Sequence, residues 1–308
     1  MQFTYSIIIP HRDSLDLIKR AITSVPDRTD IQIIVVDNST SKLDFNNLYT
    51  KINSNILLLS SDLEKGAGHA RNVGLKKAQG IWLLFLDADD FYNPGAFEKF
   101  DTYNNSDFDI VYYSLNSVYS DTLILTDRLN YNNKLVNDFL TGKCNAEDNL
   151  RYRYITPYCK LIKNSFVNKH DIQFDEVPAA NDLMFSVKTG YYAHNVTADA
   201  FQAYCATVNR GSLTNTISIN NSRSRFNAYI RQYKFVISIG KPDMRLQLMA
   251  EVVTSLRFGF KEFLWYISTV HKERINIFLG IERWPEVLYR YFFKRKKKDG
   301  YAVIIKQK

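Results

Sequence analysis

The chain has 308 residues, of which 45% are hydrophobic, 14% aromatic and 23% charged, and its net charge is +8. This composition excludes a disordered chain and predicts a globular protein with a substantial core, as one large domain or a domain with an appendage. The three cysteines show no metal-type spacing and indicate neither a disulfide framework nor a zinc site. Because no signal peptide pattern and no apolar run of about 18 residues occurs, we expect a cytoplasmic protein with at most peripheral membrane contact.

The first 80 residues alternate between apolar strands and amphipathic helices. Strands are predicted at Tyr5–Pro10, Ile31–Val36 and Ile56–Leu59. A helix capped by Asp13 should follow the first strand, and a helix ending at Gly80 should follow the third. Strand, helix and strand in succession imply right-handed parallel crossovers. The predicted class is therefore α/β, with a mainly parallel sheet and flanking helices.

Carboxylates follow the next strand, which the apolar run Ile81–Leu86 predicts. If the strand continues beyond Leu86, Asp87 and Asp89 point to the same face, because side chains alternate along a strand. Two hard oxygen ligands that leave room for phosphate oxygens suit Mg²⁺ or Mn²⁺ bound with a nucleoside diphosphate. The alternative is a turn or helix-cap cluster, since Asn93-Pro94 just beyond is a typical helix start.

Polar side chains follow three of these four predicted strands at their carboxyl ends, namely His11 and Arg12, then Asp37 and Asn38, then Asp87 and Asp89. Ligands of open parallel sheets bind at this edge, so Asp37 is a candidate acceptor for a donor group of a base or ribose. The glycine-rich start of the following helix, at residues 66–68, favours anions through its free backbone donors. Arg71, one turn further on, could contact a nucleotide or a carboxylate.

The remaining sequence changes character twice. Between Asp101 and Lys160 it is rich in Tyr, Asn and Asp, which can stack on and hydrogen-bond sugars. From about Asn221 apolar residues recur at helical spacing, so this helical region should pack on the first domain, a second copy or lipid. Aromatic residues then precede a basic cluster at Lys294–Lys298, which indicates an anionic membrane surface or a solvated basic end. No recognised nucleic-acid-binding motif accompanies the charge.

Four segments of the first 90 residues carry a family resemblance. They are Ser6-Ile7-Ile8-Ile9-Pro10, Val35-Val36-Asp37-Asn38-Ser39, Ala70-Arg71-Asn72-Val73-Gly74 and Leu86-Asp87-Ala88-Asp89-Asp90. In this order and spacing they resemble the nucleotide-sugar domain of family 2 glycosyltransferases with the GT-A fold. Similar segments continue through Tyr158–Ile162, Ile172–Glu176, Ala180–Ser186 and Arg210–Thr214.

The resemblance implies a Rossmann-like GT-A domain over residues 1–220, with a nucleotide-sugar half at about 1–100 and an acceptor half at 101–220. Residues 221–308 would form a helical region with a basic amphipathic end. This region could join copies of the chain in a homo-oligomer or contact the inner membrane face.

The resemblance also implies an inverting, metal-dependent transfer of sugar from a nucleotide sugar, in particular a UDP-sugar, to a hydroxyl of a glycan or lipid-linked acceptor. Asp182 would be the general base, and as the first residue of a predicted helix it could be a cap as well, since the two roles are compatible. The metal, Mn²⁺ or Mg²⁺, would be held by Asp89 with Asp87. Nucleotide-binding residues would be Pro10, Arg12, Asp37, Asn38, Arg71 and Asp87.

Two alternatives remain at this stage. The family usually has glutamate before the catalytic aspartate, and this chain has Asn181. A catalytically degenerate module that binds a sugar nucleotide or a glycan is therefore the non-enzymatic alternative. Glycoside hydrolysis by two carboxylates is the second enzymatic one.

Overall fold

The computed structural model describes residues 2–40, 55–208 and 218–276. These residues fall into two compact units that divide after residue 209. The first unit holds a mixed sheet with helices around it, and the second consists of helices. The expected class, an α/β fold followed by a helical C-terminal region, is confirmed.

The described part of the first unit builds one sheet of eight strands in the order β3-β2-β1-β4-β7-β6-β8-β5. Strands β3, β2, β1 and β4 run parallel, β6 and β8 are also parallel, and the other neighbouring pairs are antiparallel. The strands are β1 (Tyr5–His11), β2 (Ile31–Asp37), β3 (Ile56–Ser60), β4 (Trp82–Phe85), β5 (Phe91–Tyr92), β6 (Ile110–Tyr119), β7 (Lys160–Lys163) and β8 (Val196–Val208).

Helices connect and cover these strands. In the first unit they are α1 (Leu15–Thr23), α2 (Gly66–Leu75), α3 (Ala96–Asp101), α4 (Asn130–Leu140), α5 (Ala146–Arg153), α6 (Asn164–Lys169) and α7 (Leu183–Tyr192). In the second unit they are α8 (Ile219–Ser238), α9 (Leu248–Ser255) and α10 (Phe260–Lys272). None of the helices in the described residues is both long and apolar enough to span a membrane.

The apolar runs in the sequence are the central strands of this sheet. All side chains of β2 and β4 are buried, as are all those of β1 except Pro10. Parallel strands covered on both faces require such continuous apolar runs. Each large apolar side chain buried in this way contributes roughly 1.5–3 kcal/mol to folding. Because the strands themselves are apolar, the polar residues at their ends are easy to recognise.

Several predicted boundaries are wrong: β1, β2 and β3 each end one residue later than predicted, β4 is one residue shorter at each end, and α2 ends earlier. Strand β1 does not end at Pro10 but continues to His11, because its pairing with β4 ends at Ile8 and Pro10 interrupts no ladder there. Helix α2 ends at Leu75 and not at Gly80. A methyl group at Gly80 would collide with the backbone nitrogen of Ser6, so this glycine allows close packing against β1.

The predicted role of Asp13 is also wrong. Helix α1 begins at Leu15 with Ser14 in the N-cap position and has no side-chain cap. Asp13 has a left-handed backbone, with φ of 50°. Its carboxylate instead accepts hydrogen bonds from the backbone nitrogen and hydroxyl of Thr40, at 3.0 and 3.1 Å. Asp13 therefore ties the segment after β1 to the segment after β2.

The second unit has an apolar core of its own. The Phe226 ring of α8 lies 4.4 Å from the ring of Tyr266 on α10, and residues of α9 complete the cluster. Tyr266 donates to the Ser222 hydroxyl at 2.8 Å. Much of the apolar surface predicted for this region is therefore covered within the unit itself. The segments at 210–214 and 284–298, with the basic cluster, lie outside the described residues.

Candidate active site

Polar residues gather at the carboxyl edge of the parallel strands. Because β2, β1 and β4 are parallel neighbours, their carboxyl ends lie at the same edge of the sheet. His11 at the end of β1 is in register with Asp37 at the end of β2. The turn with Asp87 and Asp89 follows β4. The carboxylates that were predicted to lie at one edge of the sheet therefore follow strands that end at the same edge.

Arg71, on α2, is buried and connects the turn after β4 with the loop before α7. Its Nη2 donates to Asp87 Oδ1 at 2.6 Å and its Nη1 to Asn181 Oδ1 at 2.9 Å. Its guanidinium carbon lies 5.4 Å from the centre of the Phe174 ring. Although burial acts in the opposite sense, the charges of Asp87 and Asp182 raise the pKa of Arg71. The predicted contact of Arg71 with a carboxylate is therefore present, and its contact with a nucleotide stays a prediction.

Helix α2 is fastened to this loop by further contacts. The Asn72 side chain donates to the Phe174 carbonyl at 3.0 Å and accepts from the Phe174 nitrogen at 2.8 Å. A methyl group at Gly68 would collide with the carbonyl oxygen of Asp175, so the helix can approach this closely only with glycine there. The glycine-rich start of α2 therefore positions the loop that leads to Asp182.

Asp182 occupies the N-cap position of α7, but its side chain makes no capping hydrogen bond. Burial raises the pKa of its carboxyl, and the nearby Arg71 guanidinium opposes this shift in part. Ala180, two residues earlier, has φ of 57°, a left-handed conformation that costs a residue with a side chain about 1–2 kcal/mol. Such strain persists where the surroundings impose it, which is common at functional sites.

The turn after β4 differs from the sequence prediction. Strand β4 ends at Phe85, and the Asp90 nitrogen donates to the Asp87 carbonyl at 2.9 Å. Asp87 and Asp89 therefore belong to a turn, and the assumption that strand alternation aligns them is wrong. The Asp90 carboxylate is buried and accepts from the Tyr204 hydroxyl at 2.7 Å and from the Thr207 nitrogen at 2.6 Å. Asp90 thus anchors the turn to β8.

The predicted metal ligands have a charge environment that a cation would relieve. Burial raises the pKa of Asp89, and the charge of Asp87 raises it further. Burial and both neighbours also raise the pKa of Asp90. The described residues contain no group of three or more His, Cys, Asp or Glu side chains arranged for a metal. Since Mg²⁺ is often held by only one or two carboxylates plus substrate phosphates, Asp89 and Asp87 fit a metal of that kind.

The other predicted nucleotide-binding residues differ in position. Asp37 is buried beside His11. The Asn38 amide is occupied, because it donates to the Ser61 hydroxyl at 3.1 Å and to the backbone of Asp62. Pro10 lies in β1 next to this edge. The structure does not bring Arg12 together with the rest, since its side chain is exposed with Nε 3.6 Å from Asp13.

A buried lysine close to Asp182 escaped the sequence interpretation. Lys160 Nζ donates to the Tyr154 carbonyl at 2.7 Å and lies 5.0 and 5.2 Å from the ring centres of Tyr154 and Tyr112. Burial lowers the pKa of Lys160 to about 7, and the charge of Asp182 acts in the opposite direction. A lysine within the apolar strand sequence Cys159-Lys160-Leu161-Ile162 was the available signal.

Replacing Lys160 with methionine should remove a pH dependence of stability. Between about pH 7 and 10.5 the unfolded chain binds a proton on Lys160 that the folded protein does not, so wild-type stability rises with pH in that window. The pKa shift of Lys160 destabilises the folded wild type by about 5 kcal/mol, and methionine removes this cost. Loss of the hydrogen bond to Tyr154 lowers the stability of the variant by about 1–3 kcal/mol. We expect the variant to be more stable than wild type by roughly 2–4 kcal/mol at pH 7 and no longer so near pH 10.5. Urea unfolding across this range measures it, with Lys163→Met in the same strand as control. A difference that is constant with pH would contradict the prediction.

Comparisons with known proteins agree with this architecture. The family model described as glycosyl transferase family 2 matches residues 6–170. A poly(ribitol-phosphate) beta-glucosyltransferase of Bacillus spizizenii is 26% identical over 216 residues, which are 67% of this chain and 32% of that protein. The chain spans about a third of the length of the curated relatives that head the comparison.

Solved structures share the fold. Residues 1–349 of Staphylococcus aureus TarS, crystallised with UDP-GlcNAc, superpose with a TM-score of 0.70 at 19% identity, covering 88% of this chain and 80% of that one. A mannosyltransferase of Pyrobaculum calidifontis in complex with GDP-Man and Mn²⁺ gives a TM-score of 0.53 at 11% identity, over 96% and 89% of the two chains. The GT-A fold expected from the sequence is thereby confirmed. With more than half of its residues matched by the family model, the chain belongs to glycosyl transferase family 2.

Proposed function

We propose that this protein is an inverting, metal-dependent glycosyltransferase that moves a sugar from a UDP-sugar to a hydroxyl group of a glycan or lipid-linked acceptor. The observation that carries the proposal is the single network in which Arg71 joins Asp87 of the strand-end turn to Asn181, next to Asp182. Through these hydrogen bonds, Arg71 connects Asp87, a candidate donor-binding group, with the loop that carries Asp182, the candidate base. The relatives named above transfer sugars, and the TarS structure contains UDP-GlcNAc.

Asp182 has the properties that a general base requires. A sugar hydroxyl is a poor nucleophile, and a positioned carboxylate that takes its proton during attack typically contributes about 10²–10⁴-fold. Burial raises the pKa of Asp182, which increases its affinity for that proton, while Arg71 keeps the carboxylate form accessible. Attack on the face of the sugar opposite to the nucleotide inverts the anomeric centre.

Asp37, Asp87 and Asp89 would hold the donor. The buried Asp37 is an acceptor for a donor group of the base, and Asn38 fixes the neighbouring loop through its bonds to Ser61 and Asp62. A divalent cation held by Asp89 with Asp87 would neutralise the charge that develops on the departing nucleoside diphosphate. The mannosyltransferase neighbour contains Mn²⁺ with its sugar nucleotide, which supports this proposal.

Asp89→Ala should abolish metal-dependent UDP binding. The substitution removes an oxygen ligand next to Asp87 and leaves the Asp90 anchor to Tyr204 intact, so the fold should persist. Calorimetric titration of UDP with and without Mn²⁺ tests it. Wild type should bind more tightly with the metal, and the variant should bind equally weakly in both conditions. A variant that keeps the full Mn²⁺-dependent gain would contradict the metal assignment.

The extent of the catalytic domain and the associations of the helical region are also proposals. We assign residues 1–220 to catalysis and 221–308 to the helical region. The latter could mediate contact with an anionic inner membrane face or with a second copy. The basic cluster that would carry the membrane contact lies outside the described residues, so truncation before Lys294 and vesicle binding are the direct approach to it.

A further inference from the structure

His11 contacts Asp37 in a way that assigns its proton. The ring is buried, with Nδ1 3.1 Å from Asp37 Oδ1. On its other side the backbone N–H of Ser14 donates to Nε2 at 3.1 Å. A nitrogen that accepts a hydrogen bond must present its lone pair, so the neutral ring carries its proton on Nδ1. His11 therefore donates from Nδ1 to Asp37.

The contacts of Asp37 are confined to one of its two oxygens. Besides His11, the Ser39 nitrogen donates to Oδ1 at 3.1 Å and the Ser39 hydroxyl donates to it at 2.6 Å. These three donors occupy Oδ1 fully. Within residues 2–40, 55–208 and 218–276, no donor meets Oδ2. As far as the described residues go, the carboxylate is thus held by one oxygen, and Oδ2 is available to an additional donor.

The surrounding backbone makes this arrangement rigid. The Ser39 hydroxyl accepts from the Asp13 nitrogen at 2.8 Å, and the Asp13 carboxylate accepts from Thr40. The segment after β1 and the segment after β2 are therefore joined around the two side chains. His11 and Asp37 are also in register on adjacent parallel strands, which places their side chains side by side.

We propose that His11 is a positioning residue of the donor site, which as the Nδ1–H tautomer orients Asp37 so that Oδ2 meets the imide N–H of a uracil base. The proposal rests on the proposed function in one respect, namely that Asp37 faces the nucleotide. It also predicts base selectivity. Uracil offers an N–H at this position and cytosine a lone pair, so a fixed carboxylate oxygen accepts the first and repels the second.

The test compares two substitutions that differ in whether they keep the donor. The amide nitrogen of asparagine can take the place of Nδ1, so His11→Asn should bind UDP within about threefold of wild type. His11→Leu keeps the apolar volume but has no donor, and we expect UDP binding to weaken about 10- to 100-fold and the preference for UDP over CDP to fall. Calorimetry with UDP and CDP in the presence of Mn²⁺ measures both.

His69→Leu is the matched control. His69 also contacts a carboxylate, with Nδ1 2.8 Å from Glu176, but it is not among the residues that hydrogen-bond Asp37, which in the described part of the chain are His11 and Ser39. It should leave UDP affinity unchanged. Equal losses in the His11 and His69 leucine variants, or no loss in His11→Leu, would overturn the proposal. Thermal melting of each variant verifies folding.

A second measurement does not depend on a leucine variant that folds. In the long-range ¹H–¹⁵N spectrum of the histidine-labelled wild type, the resonance that disappears in His11→Asn should show the Nδ1–H tautomer. An Nε2–H tautomer or a doubly protonated ring at neutral pH would overturn the proposal. Failure of the proposed function gives a different result. A wild type that binds no uridine nucleotide contradicts the proposed function. If wild type binds UDP and His11→Leu binds it equally well, only the role of His11 is contradicted.

Discussion

Asp182→Asn should lower kcat by about 10²- to 10⁴-fold and leave the affinity for UDP with Mn²⁺ nearly unchanged. Asparagine has the same shape but cannot take the proton of the acceptor hydroxyl. Because the Asp182 side chain makes no capping hydrogen bond, the substitution should also cost α7 little stability. Steady-state kinetics on a nucleotide sugar and acceptor that the wild type uses, with calorimetry of UDP, separate the two effects.

Asp138→Asn is the matched control for this prediction. Asp138 lies on α4, where hydrogen bonds from Lys134 and Lys143 hold its pKa below the ordinary value. Its substitution should leave kcat unchanged. If Asp182→Asn retained wild-type turnover, the general-base assignment would be wrong. A wild type that binds UDP but transfers sugar to no acceptor would instead favour a binding module, the alternative that Asn181 suggests.

Arg71→Gln should reduce both stability and turnover. The variant removes the guanidinium group that pairs with Asp87 and donates a hydrogen bond to Asn181. Loss of one partner of a buried pair typically costs about 3–5 kcal/mol, and since Asp87 is partly exposed we expect about 2–3 kcal/mol. Without the Arg71 charge, the pKa of Asp182 should rise further. A base acts when deprotonated, so the ascending limb of the kcat profile should move to higher pH.

Arg28→Gln provides the comparison for Arg71. Arg28 is likewise an ion-paired arginine, with Asp30 and Asp101 at 2.8 and 2.7 Å, but it lies near the amino ends of β1 and β2. Its loss should lower the free energy of unfolding by a smaller amount, because the group is more exposed, and should leave the pH profile in place. Urea unfolding and kcat across pH measure both variants. An unshifted limb in Arg71→Gln would contradict the coupling of Arg71 to Asp182.

The sequence predicted the structure well where buried apolar residues follow one another along the chain. The runs that became β1, β2 and β4 were recognisable because strands covered on both faces are apolar throughout. The carboxylates of Asp37, Asp87 and Asp89 were then notable because a charge that follows a buried strand needs a partner. The positions of these residues at one edge followed from parallel pairing alone, without knowledge of their contacts.

Local patterns were misleading where a residue has distant partners. Asp13 is of a residue type that often caps helices, yet its carboxylate accepts a hydrogen bond from Thr40, 27 residues later in the chain. Arg12 lies next to the site in sequence, but its side chain is exposed. Asp87 and Asp89 were expected in an extended strand, whereas the anchoring of Asp90 to β8 produces a turn.

The amino-acid sequence by itself determined the strands, the family and the set of acidic residues at the strand ends, because each of these depends on the order and periodicity of neighbouring residues. Only the tertiary structure decided which side chains act together. Arg71 meets Asn181 across 110 positions of sequence, and Asp182 is close enough to Lys160 for their charges to interact. Such contacts depend on how helices and loops pack on the sheet, and periodicity carries no information about packing between segments that are distant in the chain.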